Sequence, residues 1–350
     1  MRWFQALLVG LPVAIVCRLA HGPEWLIFAA AAASLLPLAA WIGLATEHAA
    51  HKLGSSLGGL LNATFGNAAE LIIAIFALRR GMVDLVKASL TGSIIGNTLF
   101  IVGFSAIVGG VKHGSQRFDA RVVGRHAAMM ILAVSAMALP AVFATVEKSA
   151  FVREEVSVGV SILLLATYGA YIAYSYFSKE ARAQPPVEES HPAGERWTLA
   201  RSMGVLAGAV VATGIASELL VDAVEPVSRS IGLSQFFLGL IVIPIIGNVS
   251  EHYSAIVFAR RNRMELALSI AANSSTQIAV FVAPVLVLVS LFLHPMNLIF
   301  QPIELVTLFS SAAIFAYISL DGETNWLEGV QLLALYLIAA VAFFFLPSPG

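Results

Sequence analysis

Two stretches of the chain are copies of one another, and they restrict the possible folds more than anything else in it. GNAAELIIAIFALRRGMVDLVKASLTGS runs from Gly66 to Ser93, and GNVSEHYSAIVFARRNRMELALSIAANS from Gly247 to Ser274. They are equally long and align without a gap. Gly66, Asn67, Glu70, Arg79, Arg80, Asp84, Leu85 and Ser93 fall opposite Gly247, Asn248, Glu251, Arg260, Arg261, Glu265, Leu266 and Ser274. Most of the shared residues are the rare polar ones of apolar segments, so chance explains the match poorly. A weaker echo upstream sets Gly43, Thr46 and Glu47 against Gly214, Ser217 and Glu218.

The copies lie in a chain built for lipid. Of its 350 residues 59% are hydrophobic and 12% charged, against about a quarter charged in soluble proteins, and mean hydropathy is +0.86. A bilayer core about 30 Å thick needs about 20 apolar residues per helix, and lipid leaves no other partner for backbone polar groups. Apolar runs at about 3–20, 24–45, 56–79, 83–110, 122–146, 155–178, 199–221, 234–259, 264–293, 300–319 and 326–346 predict an all-α polytopic membrane protein. It has about 11 transmembrane helices, one extra helix plus two five-helix repeats. Because five is odd, the second copy enters from the opposite face, and the repeats are inverted. Transporters of this plan hold their substrate near the midplane, where the repeats meet.

The expected organisation is a first transmembrane helix at 1–22, a first five-helix repeat at 23–178, a cytoplasmic acidic linker at 179–198 and a second repeat at 199–350. The first run also admits a signal-peptide reading, since Arg2 precedes its apolar core, although no small-residue cleavage site is clear around Arg18 to Gly22. The linker contains KEARAQPPVEESHPAGERW, whose prolines and mixed charges suit a flexible connector. Its Glu188 and Glu189 are either a regulatory cation site or ordinary solvated acids. Most of the 20 Lys and Arg residues fall on the side holding the N-terminus, so the positive-inside rule puts the N-terminus in the cytoplasm and the C-terminus outside. The short N-terminus favours the cell (inner) membrane of a prokaryote.

Several classes drop out. A net charge of -1 gives no field for nucleic acid. The single Cys17 excludes an intrachain disulfide or a cysteine metal cluster. HExxH is absent and no nucleophile pair is placed in the spans, which argues for a transporter and against an enzyme. Nothing in the chain points to an organic cofactor or an obligatory protein partner beyond the lipid bilayer.

A carboxylate at the centre of a span costs a few kcal/mol even on lenient scales, so Glu70 and Glu251 need a reason to be there, and their recurrence in both copies points to function. Asn67 and Glu70, like Asn248 and Glu251, are three apart and share a helical face. Gly66 and Gly247 permit a helix break or a close approach by the other copy, and Pro244 removes a backbone hydrogen bond just before Asn248. Ser93, Asn97, Ser274 and Gln277 add neutral oxygens, as cavity lining or as polar glue between helices. Carboxylates, amides, hydroxyls and carbonyls without thiolate or an obvious imidazole suit a hard cation, and Ca2+ with its 6–8 flexible oxygen ligands more than Mg2+. Two glutamates balance one divalent ion or two protons. Left empty and desolvated, the pair takes up protons, and a divalent cation expels them. An exchanger results if the site changes sides only when filled.

These residues carry a resemblance. GNAAELIIAIFALRRG with VKASLTGSIIGN, and GNVSEH with MELALSIAANSSTQIAVFVAPVLVL, resemble the paired signature repeats of the calcium/proton antiporters in the cation/calcium exchanger superfamily. Glu251-His252 and the SSTQI from Ser274 look like the proton-coupled branch. The resemblance implies Ca2+/H+ exchange by alternating access, with Ca2+ as transported substrate. It implies Glu70 and Glu251 as Ca2+ ligands, helped by Asn67, Asn248 and backbone carbonyls around Gly66 and Gly247. Ser93, Asn97, Ser274, Gln277 and Glu218 match polar pathway positions. Asp222 and Glu225 also resemble acidic relay positions, or snorkel at a helix end, and His252 either titrates or packs. Two departures stand out: Gly96 where the family often has serine, and Val249-Ser250 where two alanines are usual. Gly96 removes a pathway hydroxyl, whereas Val249-Ser250 is expected to alter packing more than chemistry. The rival readings are a Na+/Ca2+ exchanger using the same glutamates and a Ca2+ channel, which uphill transport excludes.

Overall fold

The computed structural model describes residues 5–177 and 197–346. Those residues are almost entirely helical. Seven helices are long and apolar enough to cross a membrane, or eight if one bent pair counts as a span, and two shorter apolar helices add to them.

A short 3-10 turn, Leu7–Val9, leads into α1, Gly10–Leu19. Then come α2, Glu24–Phe65, and α3, Ala68–Arg79. Helix α4, Val83–His113, carries a π-helical turn at Gly96–Ile101. Helices α5, Ala120–Val146, and α6, Ala150–Phe177, complete the first half. The second half contains α7, Leu199–Ile231; α8, Gln235–Gly247; α9, Val249–Arg260; α10, Met264–Ser290; α11, Pro302–Ile318; and α12, Trp326–Phe344. A two-residue ladder, β1 at Gln116–Arg117 against β2 at Glu323–Thr324, ties the loops before α5 and α12.

Local chemistry accounts for several boundaries. Asp119, Thr198, Ser234 and Asn325 cap α5, α7, α8 and α12 through side-chain oxygens on backbone N–H groups. Helix α11 opens on a Gln301–Glu304 capping box. Gly232 ends α7 at φ 71°, a left-handed conformation that glycine adopts without steric cost. In α8 and α10 the π-helical turns, Leu238–Val242 and Ile278–Val282, lie just before Pro244 and Pro284, where proline interrupts the regular bonding pattern.

One expectation fails here. The runs 24–45 and 56–79 do not form two spans separated by a polar loop, because α2 continues unbroken through TEHAAHKLGSS to Phe65. That stretch is polar but holds no proline, and a lone glycine is tolerated inside a helix. At 42 residues and about 1.5 Å per residue, α2 is about twice as long as a bilayer core is thick. The chain breaks at Gly66-Asn67 instead. The run 234–259 is one bent pair, with α8 and α9 meeting at 63°. Residues 178–196, with Glu188 and Glu189, lie outside the described residues.

Helices α4 and α10 form the interior, with 72% and 67% of their most apolar stretches buried, whereas α6 and α12 bury only 22% and 28% and present apolar side chains outward. Helix α7 lies along α2, with α1 packed on the same helix. Helices α4 and α8 approach closely because Gly92 has no side chain: a Cβ there would overlap Leu240 O.

Candidate functional site

The repeated glycine–asparagine pairs become repeated backbone breaks. Asn67, between α2 and α3, has φ -107° and ψ 21°, and Asn248, between α8 and α9, has φ -94° and ψ 17°. Each break starts a new helix inside the protein and leaves its glutamate in the first turn, Glu70 in α3 and Glu251 in α9. The unpaired N–H groups and positive dipole end there favour a carboxylate.

The copies cross at Gly247. A Cβ on that residue would stand 3.1 Å from Glu70 Cγ and 3.2 Å from Glu70 Oε1, so the second copy's backbone lies against the first copy's carboxyl group. Glu70 lines a small cavity with Ser89, Ser93, Pro244, Gly247 and the apolar side chains of Ile278 and Val282. The cavity measures about 10 Å³, at the lower limit of what holds one water. Glu70 Oε2 is buried and has no hydrogen-bond partner among the described residues. Glu251 differs, since its Oε2 accepts from Ser250 Oγ at 2.8 Å. The expectation that Val249-Ser250 alters packing more than chemistry is therefore corrected: the extra hydroxyl bonds directly to the glutamate.

Asn248, fully buried, is the hub of the polar residues between the copies. Its Nδ2 donates to Ser93 Oγ and to Pro244 O, each at 3.0 Å, and its Oδ1 accepts from Ser274 Oγ at 3.3 Å and Asn97 Nδ2 at 3.4 Å. Asn97 Nδ2 also donates to Ser274 Oγ at 2.9 Å. With that amide committed as donor, Asn97 Oδ1 faces His252 Nε2 at 3.1 Å, which assigns the proton to Nε2. Asn67 Nδ2 donates to Gln277 Oε1 at 2.6 Å in a separate bridge. Asn97, Ser274 and Gln277 thus bond helices to one another, while Ser93 does that and also lines the cavity. Gly96 faces open space, with nothing within 4 Å of the Cβ it lacks.

Glu218 lies elsewhere, exposed on α7. One helical turn on, Asp222 accepts from Arg18 at 3.3 Å and pairs with Arg80 at 2.6 Å, and Glu225 pairs with Arg229. Sequence reasoning missed Ser89, whose signal was its spacing of one turn before Ser93. It also missed the bracing of the motif helices. His113 Nε2 lies 2.9 Å from Arg260 O, and His294 Nδ1 2.9 Å from Leu78 O. Gln116 Nε2 donates to Ala259 O at 2.9 Å. His113 and His294 are the same interval apart as Gly66 and Gly247, as are Gly81 and Asn262, which both adopt positive φ. Each copy therefore grips the end of the other's glutamate-bearing helix.

Comparison with known proteins agrees over the whole chain. The family model for sodium/calcium exchanger proteins matches residues 23–177 and 201–345. A Ca(2+)/H(+) antiporter of Aphanothece halophytica is 40% identical, covering 98% of this chain and 96% of its own. The Ca(2+)/H(+) antiporter ChaA of Bacillus subtilis is 38% identical, covering 98% and 99%. The crystal structure of the selenium-substituted Ca2+/H+ antiporter protein YfkE superposes with a TM-score of 0.84 at 38% identity, over 99% of this chain and 100% of that one. With the duplicated glutamate motif and the crossed helix breaks, these matches establish that the chain belongs to the sodium/calcium exchanger protein family, as the resemblance of its motifs to the calcium/proton antiporters implied.

Proposed function

We propose that this protein is a secondary active transporter that exchanges Ca2+ for H+ across a membrane. Glu70 and Glu251 take protons and Ca2+ in turn. The observation that carries the reading is Glu70: its carboxyl oxygen Oε2 is buried without a partner among the described residues, and the residue lines a small cavity walled by the backbone of the opposite copy. The high identity to antiporters named for Ca2+ and H+ supports the choice of ions.

In this reading the empty site is proton-loaded, because two ionised carboxylates in a desolvated space repel one another and lack counter-charge. Ca2+ supplies that charge and draws 6–8 oxygens toward it. Glu70, Ser89, Ser93, Pro244 and Gly247 line the cavity, and Glu251 with the carbonyls around Gly66 is expected to complete the ligand set. Asn248 and Asn67 hold the breaks in register, so their part is to position the glutamates. In this reading the chain is organised as an extra helix at 1–22 and inverted repeats at 23–178 and 199–350 joined by the linker at 179–198. The N-terminus is cytoplasmic, and export from the cell uses the proton gradient.

The test is Ca2+ uptake into vesicles under an imposed pH gradient without sodium, in the native protein and in Glu70→Gln and Glu251→Gln. Each substitution is expected to lower uptake by about a hundredfold or more, since even outer-shell partners of metal ligands are worth 10- to 100-fold. Flux that needs sodium would replace this reading with sodium–calcium exchange, and unimpaired variants would remove the glutamates from the mechanism.

A further inference from the structure

Two serines, Ser89 and Ser93, stand one turn apart on α4 and both line the Glu70 cavity. They are chemically different. Ser93 Oγ accepts from Asn248 Nδ2 at 3.0 Å, which ties its oxygen into the hub. Ser89 Oγ donates its own proton to Val86 O at 2.8 Å. A hydroxyl has one proton and two lone pairs, so Ser89, with its proton bonded back to its own helix, offers the cavity an acceptor oxygen. A cation, or the hydrogen of a hydrating water, is what such an oxygen binds. The partner-free Oε2 of Glu70 is on the same cavity's lining residue.

Position adds to the chemistry. Helix α4 begins at Val83, just past the turn that holds Arg80, so anything moving along α4 from that end meets Ser89 before Ser93. The second copy has no equivalent, because Ile270 occupies the position opposite Ser89 although Ser274 matches Ser93. At this aligned position an acceptor is thus present in the Glu70 half of the repeat and absent from the Glu251 half.

We infer that Ser89 is a specificity-determining residue of the Glu70 site: its oxygen binds the divalent cation or its remaining hydration water as it reaches Glu70 from the Arg80 end. Ile270 denies Glu251 the same help, and the two glutamates are loaded unequally. The inference rests on the exchange reading given above.

The experiment uses the full chain, purified and reconstituted, with Ser89→Ala, Ser89→Thr and Ser89→Ile. Two quantities are measured: the Ca2+ dependence of proton-driven uptake, and equilibrium binding of radioactive Ca2+ to the purified protein. Ser89→Ala is expected to raise half-saturating Ca2+ about tenfold, the scale of one hydrogen bond or contact to a charged group, with maximal rate within about twofold of native. Ser89→Thr, which keeps the hydroxyl, should restore native affinity, and Ser89→Ile should bind as weakly as the alanine variant or worse. Should the isoleucine variant fail to fold, the alanine and threonine pair decides alone. Native affinity in Ser89→Ala, or a fall in maximal rate with affinity unchanged, overturns the inference. If the native protein shows no proton-driven uptake, the exchange reading fails instead, and Ca2+ binding by the same variants still decides the role of Ser89.

Discussion

The two copies of the motif have nearly the same backbone and different chemistry. At both breaks an asparagine adopts the same local conformation and a glutamate opens the next helix. Yet Glu70 has a bare oxygen and a cavity, while Glu251 has Ser250 on its carboxylate. Asn248 makes four polar contacts and Asn67 shows one to Gln277. The preceding helices differ as well: α2 runs into its break as one 42-residue helix, whereas a glycine cap separates α7 from α8. The repeated residues set where the chain breaks, and the unrepeated ones set how each glutamate is held.

The strongest way to break this comparison is to remove the asparagines one at a time. Asn248→Leu strips partners from Ser93, Ser274 and Asn97 inside a buried network, and each orphaned group costs about 1–3 kcal/mol. The variant is expected to lose several kcal/mol of stability together with transport, while Asn67→Leu loses about a third as much. Thermal unfolding in detergent reads the difference, and equal losses would show that the hub is not centred on Asn248. Gly247→Ala comes next. Its methyl would press on Glu70 at 3.1–3.3 Å, and about a tenfold weakening of Ca2+ binding is expected from a shift of a few tenths of an ångström in a ligand group. Unchanged binding would mean that Glu70 moves away freely.

Exchanging the hydroxyls sharpens the contrast further. Ser250→Ala gives the second copy the alanine that the first has at Ala69, and Ala69→Ser does the reverse. A hydroxyl bonded to the carboxylate competes with a cation for the same oxygen. Ser250→Ala should therefore tighten Ca2+ binding and Ala69→Ser weaken it, each by about three- to tenfold, as direct binding to purified protein would measure.

Much of this was legible because rare residues carried it. Glu70, Glu251 and their asparagines were conspicuous in apolar spans, and Pro244 and Gly247 marked a break that appears as a 63° bend. The long α2 was hidden, since a polar stretch without proline reads equally as loop or helix. Ser89 and Ser250 were hidden for another reason. A serine in a helix usually bonds back to its own turn, and only three-dimensional placement distinguishes one beside a carboxylate from the many that are not. His113 and His294 lay past the region where the copies look alike, so their shared interval becomes meaningful only when both are seen to grip the opposite helix.

The smallest difference concerns the ends of the motif helices. Both ends have a histidine on a backbone carbonyl, His294 on Leu78 O and His113 on Arg260 O, and the Arg80 end adds charge, with Asp222 of α7 bridging Arg80 and Arg18. The Arg260 end is held by hydrogen bonds to backbone carbonyls from His113, Lys112 and Gln116. Both arginines of the first group are about half exposed and Asp222 is 14% exposed, so solvent and salt weaken the pairs to about 1 kcal/mol or less. Gln116 is 1% exposed, and its loss would remove its buried hydrogen bonds to Ala259 O and Asn262 Oδ1, worth about 0.5–1.5 kcal/mol each. Asp222→Asn is therefore expected to lower the melting temperature by less than Gln116→Leu, and only at low ionic strength. A salt-independent loss in Asp222→Asn would show that the charged end is shielded from solvent and that the two ends are held with comparable strength.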